Sequence, residues 1–207
     1  MKVYFARHGE TGFNTKKLFQ NKDISLTEKG ESQANLLADR FLKIPIDVIL
    51  CSTCKRAEQT AEIINKKLDK EIVYSDYLAE KKWPDEIIGK EFRGPEYLKF
   101  KEFFIKNLND PDCHYSNEEN FFDFRERVFL FFDFLDKRRE EDILVVSHGG
   151  TIKMIICLMM LGKDFGPDIY FKVIEFFRIY NTGITLCEKN EENKWHLMTW
   201  NDHAHLG

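Results

Sequence analysis

The sequence is poor in cysteine and shows no pattern among the few it has. Five cysteines, an odd number without framework spacing, exclude a disulfide-stapled secreted scaffold and fit reduced thiols, so a cytoplasmic protein is expected. Long apolar runs are missing as well. No stretch reaches the roughly eighteen residues that a membrane helix needs, and no basic segment followed by an apolar one marks a secretory leader at the start. Positive charge is not in excess: 31 Lys and Arg stand against 35 Asp and Glu, a net charge of −4. The molecule as a whole therefore has no attraction for nucleic acid or an anionic membrane, and neither is an expected partner. A local basic pocket for a small anion stays allowed. Internal repeats and low-complexity tracts are absent, and 43% hydrophobic with 32% charged residues excludes a disordered chain.

What is present is an alternation of short apolar runs with helix-like segments. Val3–Ala6, Ile46–Leu50, Glu71–Tyr74 and Asp142–Ser147 read as strands. Between them, Thr27 or Ser25 can cap a helix with Ala34, Leu37, Ala38 and Phe41 on one face. Ser52 or Thr53 can cap another with Ala57, Thr60, Ala61 and Ile64 facing inward. Helices are also expected over 120–139 and 149–161. Val173–Tyr180, Gly183–Glu188 and Trp195–Trp200 read as late strands joined by tight turns. Buried strands alternating with helices predict a three-layer α/β/α fold with a mainly parallel sheet and an antiparallel extension. A single domain over 1–207 is expected. Residues 77–120, broken by Pro84, Gly89, Gly94, Pro95 and Pro111, form an insertion lying over the active site, with one helix over 96–108.

In such sheets ligands bind beyond the carboxyl ends of the strands. Arg7-His8 follows the first strand, Ser52 and Arg56 follow the second, and Ser147-His148-Gly149-Gly150 follows the strand at 143–146. Two arginines and two histidines at one sheet edge require an anion among them. Guanidinium forks match phosphate oxygens. Gly9, Gly149 and Gly150 let backbone N–H groups approach, and the helix after Gly149 directs its positive end there. A neutral imidazole in that setting can attack phosphorus and form a phosphohistidine. The other histidine can stabilise the transferring group, and a carboxylic acid is needed to protonate the leaving oxygen.

These blocks carry a family resemblance. Arg7-His8-Gly9-Glu10-Thr11 with Asn14 is followed by Leu26-Thr27-Glu28-Lys29-Gly30 with Gln33-Ala34. Ser52 with Arg56-Ala57 and Gln59-Thr60-Ala61 comes next, then Val146-Ser147-His148-Gly149-Gly150, then Asn181-Thr182-Gly183. Taken in order, they resemble the histidine phosphatase superfamily, the phosphoglycerate mutase-like family. The resemblance implies that His8 is the phosphorylated nucleophile, that Arg7 and Arg56 clamp the phosphoryl oxygens, and that His148 completes the pocket. Asn14, Gln20 and Gly149 are implied as further substrate contacts. In the loop after Gln20, Asn21 and Lys22 replace the family's usual glycine and arginine. Leu78-Ala79-Glu80 matches the segment carrying the family's acid, with Glu86 as a second candidate. No metal and no cofactor are implied. The implied activity is phosphomonoester hydrolysis on a small phosphorylated metabolite. Its alternative is mutase-type return of the phosphoryl group, which the brief segment after Glu80 disfavours.

Other readings compete. A module on the same fold could bind a phospho-ligand without catalysis, against which the intact Arg7, His8, Arg56 and His148 speak. Cys51-Ser52-Thr53-Cys54 has the spacing of a redox dithiol; with His203 and His205 it could furnish a zinc site. Glu119 could orient an arginine or His148, or merely start a helix. His114 and Tyr115 read as surface-loop residues, and Lys16, Lys17, Lys81 and Lys82 as solvated charges. The Phe-rich run 121–132 has apolar residues on more than one face, so a contact with a second copy, a homodimer, is left open. Specificity is expected in 15–23 and in 77–120.

Overall fold

Val3-Tyr4-Phe5-Ala6 is apolar at every position because both of its faces are covered. The computed structural model describes residues 1–207. Its elements run β1 (Lys2–Arg7), α1 (Gly12–Lys16), α2 (Glu28–Phe41), β2 (Val48–Ser52), α3 (Lys55–Leu68), β3 (Ile72–Ser75), α4 (Pro95–Lys106), α5 (Phe121–Asp136), β4 (Asp142–Ser147), α6 (Gly149–Leu161), α7 (Pro167–Phe176), β5 (Ile184–Lys189) and β6 (Trp195–Asp202). The strands form one sheet in the order β3-β2-β4-β1-β5-β6. β1, β2, β3 and β4 are parallel, while β5 and β6 add antiparallel to the edge beside β1.

Side chains on a strand alternate between faces, so each apolar run supplies two cores. Val3, Phe5, Val48, Leu50, Ile143 and Val145 meet Phe124, Val128 and Phe131 of α5 and Ile152 and Ile155 of α6. Tyr4, Ala6, Ile49, Cys51, Leu144 and Val146 meet Leu37, Ala38 and Phe41 of α2 and Ala57, Ala61 and Ile64 of α3. Thr27 caps α2 by accepting a bond from Gly30 N. Asn120 and Asp123 form a reciprocal capping box on α5. Of α5's apolar residues, Leu130 and Phe134 stay exposed. No helix is long and apolar enough to cross a membrane.

A third cluster packs the loop before α2 against the segment between β3 and α5. Phe19, Ile87 and Phe100 are its buried centre, with Trp83, Tyr97 and Phe104 packed around them. Phe19 stacks edge-on against Trp83 at 4.9 Å and Phe92 at 4.4 Å. Backbone bonds Phe19 N to Lys90 O and Gly89 N to Phe19 O join the same segments. The two stretches expected to govern specificity are thus a single cap. Lys81 belongs to it. Far from being solvated, it is half-buried with Nζ 4.7 Å from the Trp83 ring centre, and burial pushes its ammonium down to about 8.

Two local expectations are corrected. Residues 173–176, expected in a strand, are the last turn of α7, and 177–180 is irregular chain. Gly166-Pro167 starts that helix, with Pro at its first position, and it buries Tyr170 against Phe121 and Phe124. α3 is preceded at its cap position by Cys54, which makes no side-chain bond there, not by Ser52 or Thr53. The loop after His8 contains the short helix α1.

Candidate active site

Strand register brings the functional residues together. Arg7 pairs with Ser147 and Cys51 with Val146, so the residues leaving β1, β2 and β4 emerge side by side. The rings of His8 and His148 lie 5.1 Å apart, both buried.

Their hydrogen bonds fix their tautomers. A carbonyl only accepts, so the 2.7 Å contact of His8 Nδ1 with Gly9 O places the proton on Nδ1. Nε2 is left with its lone pair, and Arg56 Nε donates to it at 3.2 Å. At His148, Ser52 Oγ accepts from Cys54 N and has no other acceptor within reach for its own proton, so that proton goes to His148 Nε2 at 2.8 Å. His148 Nδ1 therefore carries a proton, and this buried donor has no acceptor. Ser52, foreseen as a helix cap, instead sets this tautomer.

Arg7 Nε is a second buried donor without a partner. Its Nη1 donates to Ile179 O at 2.8 Å, while Arg56 Nη1 donates to Asn21 O at 2.8 Å. Unsatisfied buried donors are costly and uncommon. Two of them beside a deprotonated imidazole nitrogen form a cradle for an oxyanion.

Burial, and after it Arg56, holds both imidazoles well below the ordinary 6.5, with Arg7 adding to the effect. Both are neutral near neutrality. Below the ordinary value the unfolded chain takes protons that the folded chain refuses, so the ligand-free protein loses stability as pH falls. Thermal melts from about pH 7.5 to about 5.5 should show a falling Tm, less steeply in a His148→Asn variant, which lacks one of the two groups.

The loop after His8 is held by its own residues. Glu10 receives bonds at its carbonyl from Thr27 N, 2.9 Å, and at its carboxylate from Lys29 Nζ, 3.0 Å. Glu10 N donates to Gln33. Gly9 and Gly30 permit this closeness: a Cβ on Gly9 would lie 2.4 Å from Gly30 O, and one on Gly30 2.1 Å from Glu10 O. Thr11 N donates to Asn14 Oδ1 and Thr11 Oγ1 to Gln20 Oε1, which turns the NH2 ends of both amides away from these anchors. Asn181 Nδ2 donates to His8 O and Asn14 Oδ1. Thr182 adopts the left-handed region, φ 58°, to make that turn. For a β-branched residue this costs on the order of 1 kcal/mol or more.

Glu80 reaches the same edge from the cap. Its carboxylate accepts from Gly150 N at 3.1 Å, in the first turn of α6, and from Lys81 N at 3.0 Å. The backbone that carries it is stapled on two sides. Ser147 Oγ donates to Leu78 O and Thr151 Oγ1 to Ala79 O. Arg127 donates to Tyr77 O at 2.9 Å and Ala79 O at 3.0 Å, and is itself gripped by Glu119 at 2.8 Å. Of the roles open to Glu119, it takes that of orienting an arginine. Arg127 was overlooked, because within a Phe-rich run it reads as a surface charge. Glu86 is engaged elsewhere, accepting from Ser116 Oγ, and His114 pairs with Asp123 on the surface.

The cysteine pair does not look reactive. Cys51 and Cys54 are buried free thiols, and burial pushes Cys51 well up, opposite to the lowering that a redox thiolate needs. His203 and His205 bond to Asn201 O and Thr182 Oγ1, not to the cysteines.

Comparison with known proteins identifies the family. The sequence profile of the histidine phosphatase superfamily (branch 1) matches residues 3–203. A protein of Schizosaccharomyces pombe named as a phosphatase is 33% identical over 214 residues, covering 100% of this chain and 95% of its own. The phosphatase PhoE of Bacillus subtilis is 30% identical over 207 residues, covering 99% and 96%. The crystal structure of an Entamoeba histolytica phosphoserine phosphatase in complex with 3-phosphoglyceric acid superposes with a TM-score of 0.77 at 30% identity, covering 99% of this chain and 98% of that one. The chain belongs to the histidine phosphatase superfamily, branch 1, and is an enzyme that hydrolyses phosphomonoesters by way of a phosphohistidine.

Proposed function

We propose that His8 is the residue phosphorylated, and that the substrate is a small phosphorylated metabolite admitted beneath the cap. One observation carries the assignment: the unprotonated Nε2 of His8 faces a cluster in which Arg7 Nε and His148 Nδ1 are buried donors without acceptors. A phosphoryl group supplies the missing oxygens. Arg7, Arg56 and His148 hold them, with the amide NH2 groups of Asn14 and Gln20 and the backbone of Gly149 as further ligands. Arg56 Nε leaves His8 Nε2 for an oxygen, and Nε2 attacks phosphorus as the ester P–O bond breaks. The bond from Nδ1 to Gly9 O steadies the positive charge arising on the ring. Glu80 gives its proton to the departing alkoxide, then takes one from the water that displaces phosphate from His8.

Gly150 gives this arrangement its clearest local test. A Cβ there would lie 2.4 Å from Glu80 Oε1, and that oxygen, at the end of a flexible side chain, would yield. Gly150→Ala should fold with nearly wild-type Tm yet lose on the order of 10²-fold in kcat on an alkyl phosphate, as expected for misplacing a catalytic group by about 1 Å. Assays over a panel of phosphomonoesters test the function itself. Release of inorganic phosphate, unchanged by a chelator, is expected; transfer of the group back to the organic product in place of release would contradict it.

A further inference from the structure

Lys81 follows Glu80 directly, and its ammonium sits among aromatic rings. Nζ lies 4.7 Å from the centre of the Trp83 ring, 5.3 Å from Phe104 and 6.0 Å from Phe100. Within the chain it meets these rings and has neither a hydrogen-bond acceptor nor a paired carboxylate. Burial brings the ammonium down to about 8 against Glu118, Glu119, Glu80 and Asp123, which favour the charge, so it is a cation at pH 7. A half-buried ammonium without an acceptor costs stability that a methionine of similar reach would not, and the rings return part of that cost. Folding alone therefore gives no reason for a cation at this position.

The cage is joined to the Glu80 carboxylate from two directions. Residues 80–84 lie outside every helix and strand. Lys81 N donates to Glu80 Oε1 at 3.0 Å, so the residue whose side chain enters the cage also binds the carboxylate through its backbone. On the far side of the cage, Phe104 of α4 packs edge-on against Phe171 of α7 at 5.2 Å. The neighbouring Tyr170 donates its hydroxyl proton to Gly150 O at 3.2 Å, and Gly150 N donates to the Glu80 carboxylate at 3.1 Å. A closed circuit of contacts thus runs from Glu80 through Lys81, α4, α7 and the first turn of α6 back to Glu80. Between the Glu80 segment and α4 it is closed by the attraction of the ammonium for the rings.

We infer that Lys81 is a positioning residue: its caged ammonium fixes the place from which the Glu80 carboxyl gives its proton to the leaving oxygen. The inference rests on the reading of Glu80 as the proton donor and adds what holds that donor in place. Lys81 acts through Glu80 and touches no substrate. The competing role, in which Lys81 only packs the cap, predicts lost stability and equal losses of rate whatever the leaving group.

The test follows the first chemical step under single-turnover conditions on two substrates. One is the alkyl phosphate cleaved fastest among the phosphomonoesters assayed, and the other is p-nitrophenyl phosphate. Lys81→Met keeps the stem and removes the charge. It should lose about 10-fold or more on the alkyl phosphate, as a displaced catalytic group does, with half-saturation little changed. Its rate on p-nitrophenyl phosphate should stay near wild type, and its Tm should not fall. Lys81→Arg, whose guanidinium also rests on aromatic faces, should restore most of the alkyl phosphate rate. Trp83→Leu should show the same dependence on leaving group, and the Lys81→Met/Trp83→Leu double variant should lose no more than the larger single loss. A wild-type alkyl phosphate rate in Lys81→Met overturns the inference. So do equal losses on the two substrates with a lower Tm, failure of arginine to restore the rate, or losses that multiply in the double variant. Glu80→Gln separates the two readings. If it is slow on the alkyl phosphate while Lys81→Met is not, the positioning role alone fails. If it is not slow, the proton-donor reading fails, and the positioning role with it.

Discussion

Replacing His8 by alanine should lower kcat on any phosphomonoester by at least about 10⁴-fold, the scale of losing a covalent nucleophile. No neighbouring group can stand in. The other imidazole has its unprotonated nitrogen occupied by Ser52 and turns an N–H donor to the pocket. Phosphate binding should outlast activity, because Arg7, Arg56 and His148 remain. The variant loses a ring that is 2% exposed and leaves Arg56 Nε without its acceptor, so some stability is lost. Added inorganic phosphate should recover part of that stability by binding the folded state. Kinetics on p-nitrophenyl phosphate together with melts in rising phosphate check both parts. Wild-type turnover, or loss of the phosphate response, would count against the assignment.

Glu80→Gln should cost about 10²- to 10⁴-fold on an alkyl phosphate, the range for removing a general acid. On p-nitrophenyl phosphate the first step should suffer much less, since a stabilised phenolate departs without a proton. The amide keeps the shape and an acceptor for Gly150 N, so folding should hold. Glu86→Gln should leave both rates near wild type, because Glu86 faces Ser116 in the cap. Equal losses of the first step, phosphorylation of the enzyme, on the two substrates would mean that Glu80 positions rather than donates. A large loss in the Glu86 variant would restore the alternative that the sequence had left open.

The parts of the site readable in the sequence are those that follow strands. Arg7-His8 and His148-Gly149 stand directly after apolar runs, and a parallel sheet brings such ends together whatever lies between. What escaped depends on distant packing. Arg127 matters only because residues 76–80 dock across α5, a contact more than forty residues away in sequence. Ser52 sits where a helix cap is expected, and only the arrival of β4 gives its hydroxyl to His148. The stretch Val173-Ile174-Glu175-Phe176 has strand-like composition, and so short an apolar run does not distinguish period 2 from 3.6. The local signal was Gly166-Pro167 with Asp168 behind it. Glu10 and Thr11 stand in the same block as His8, and their role depends on packing. Their bonds to Thr27, Lys29, Gln33, Asn14 and Gln20 make them the fastening of the loop that presents His8.

The chemistry stands or falls on one atom, His8 Nε2. Rapid quenching of the enzyme during turnover of a 32P-labelled phosphomonoester, followed by peptide mapping, tests it directly. The account predicts an acid-labile, alkali-stable phosphoryl label, approaching one per chain, on the peptide that begins at His8, and none in His8→Ala. A label on any other residue, or unchanged labelling of the His8→Ala protein, would contradict it.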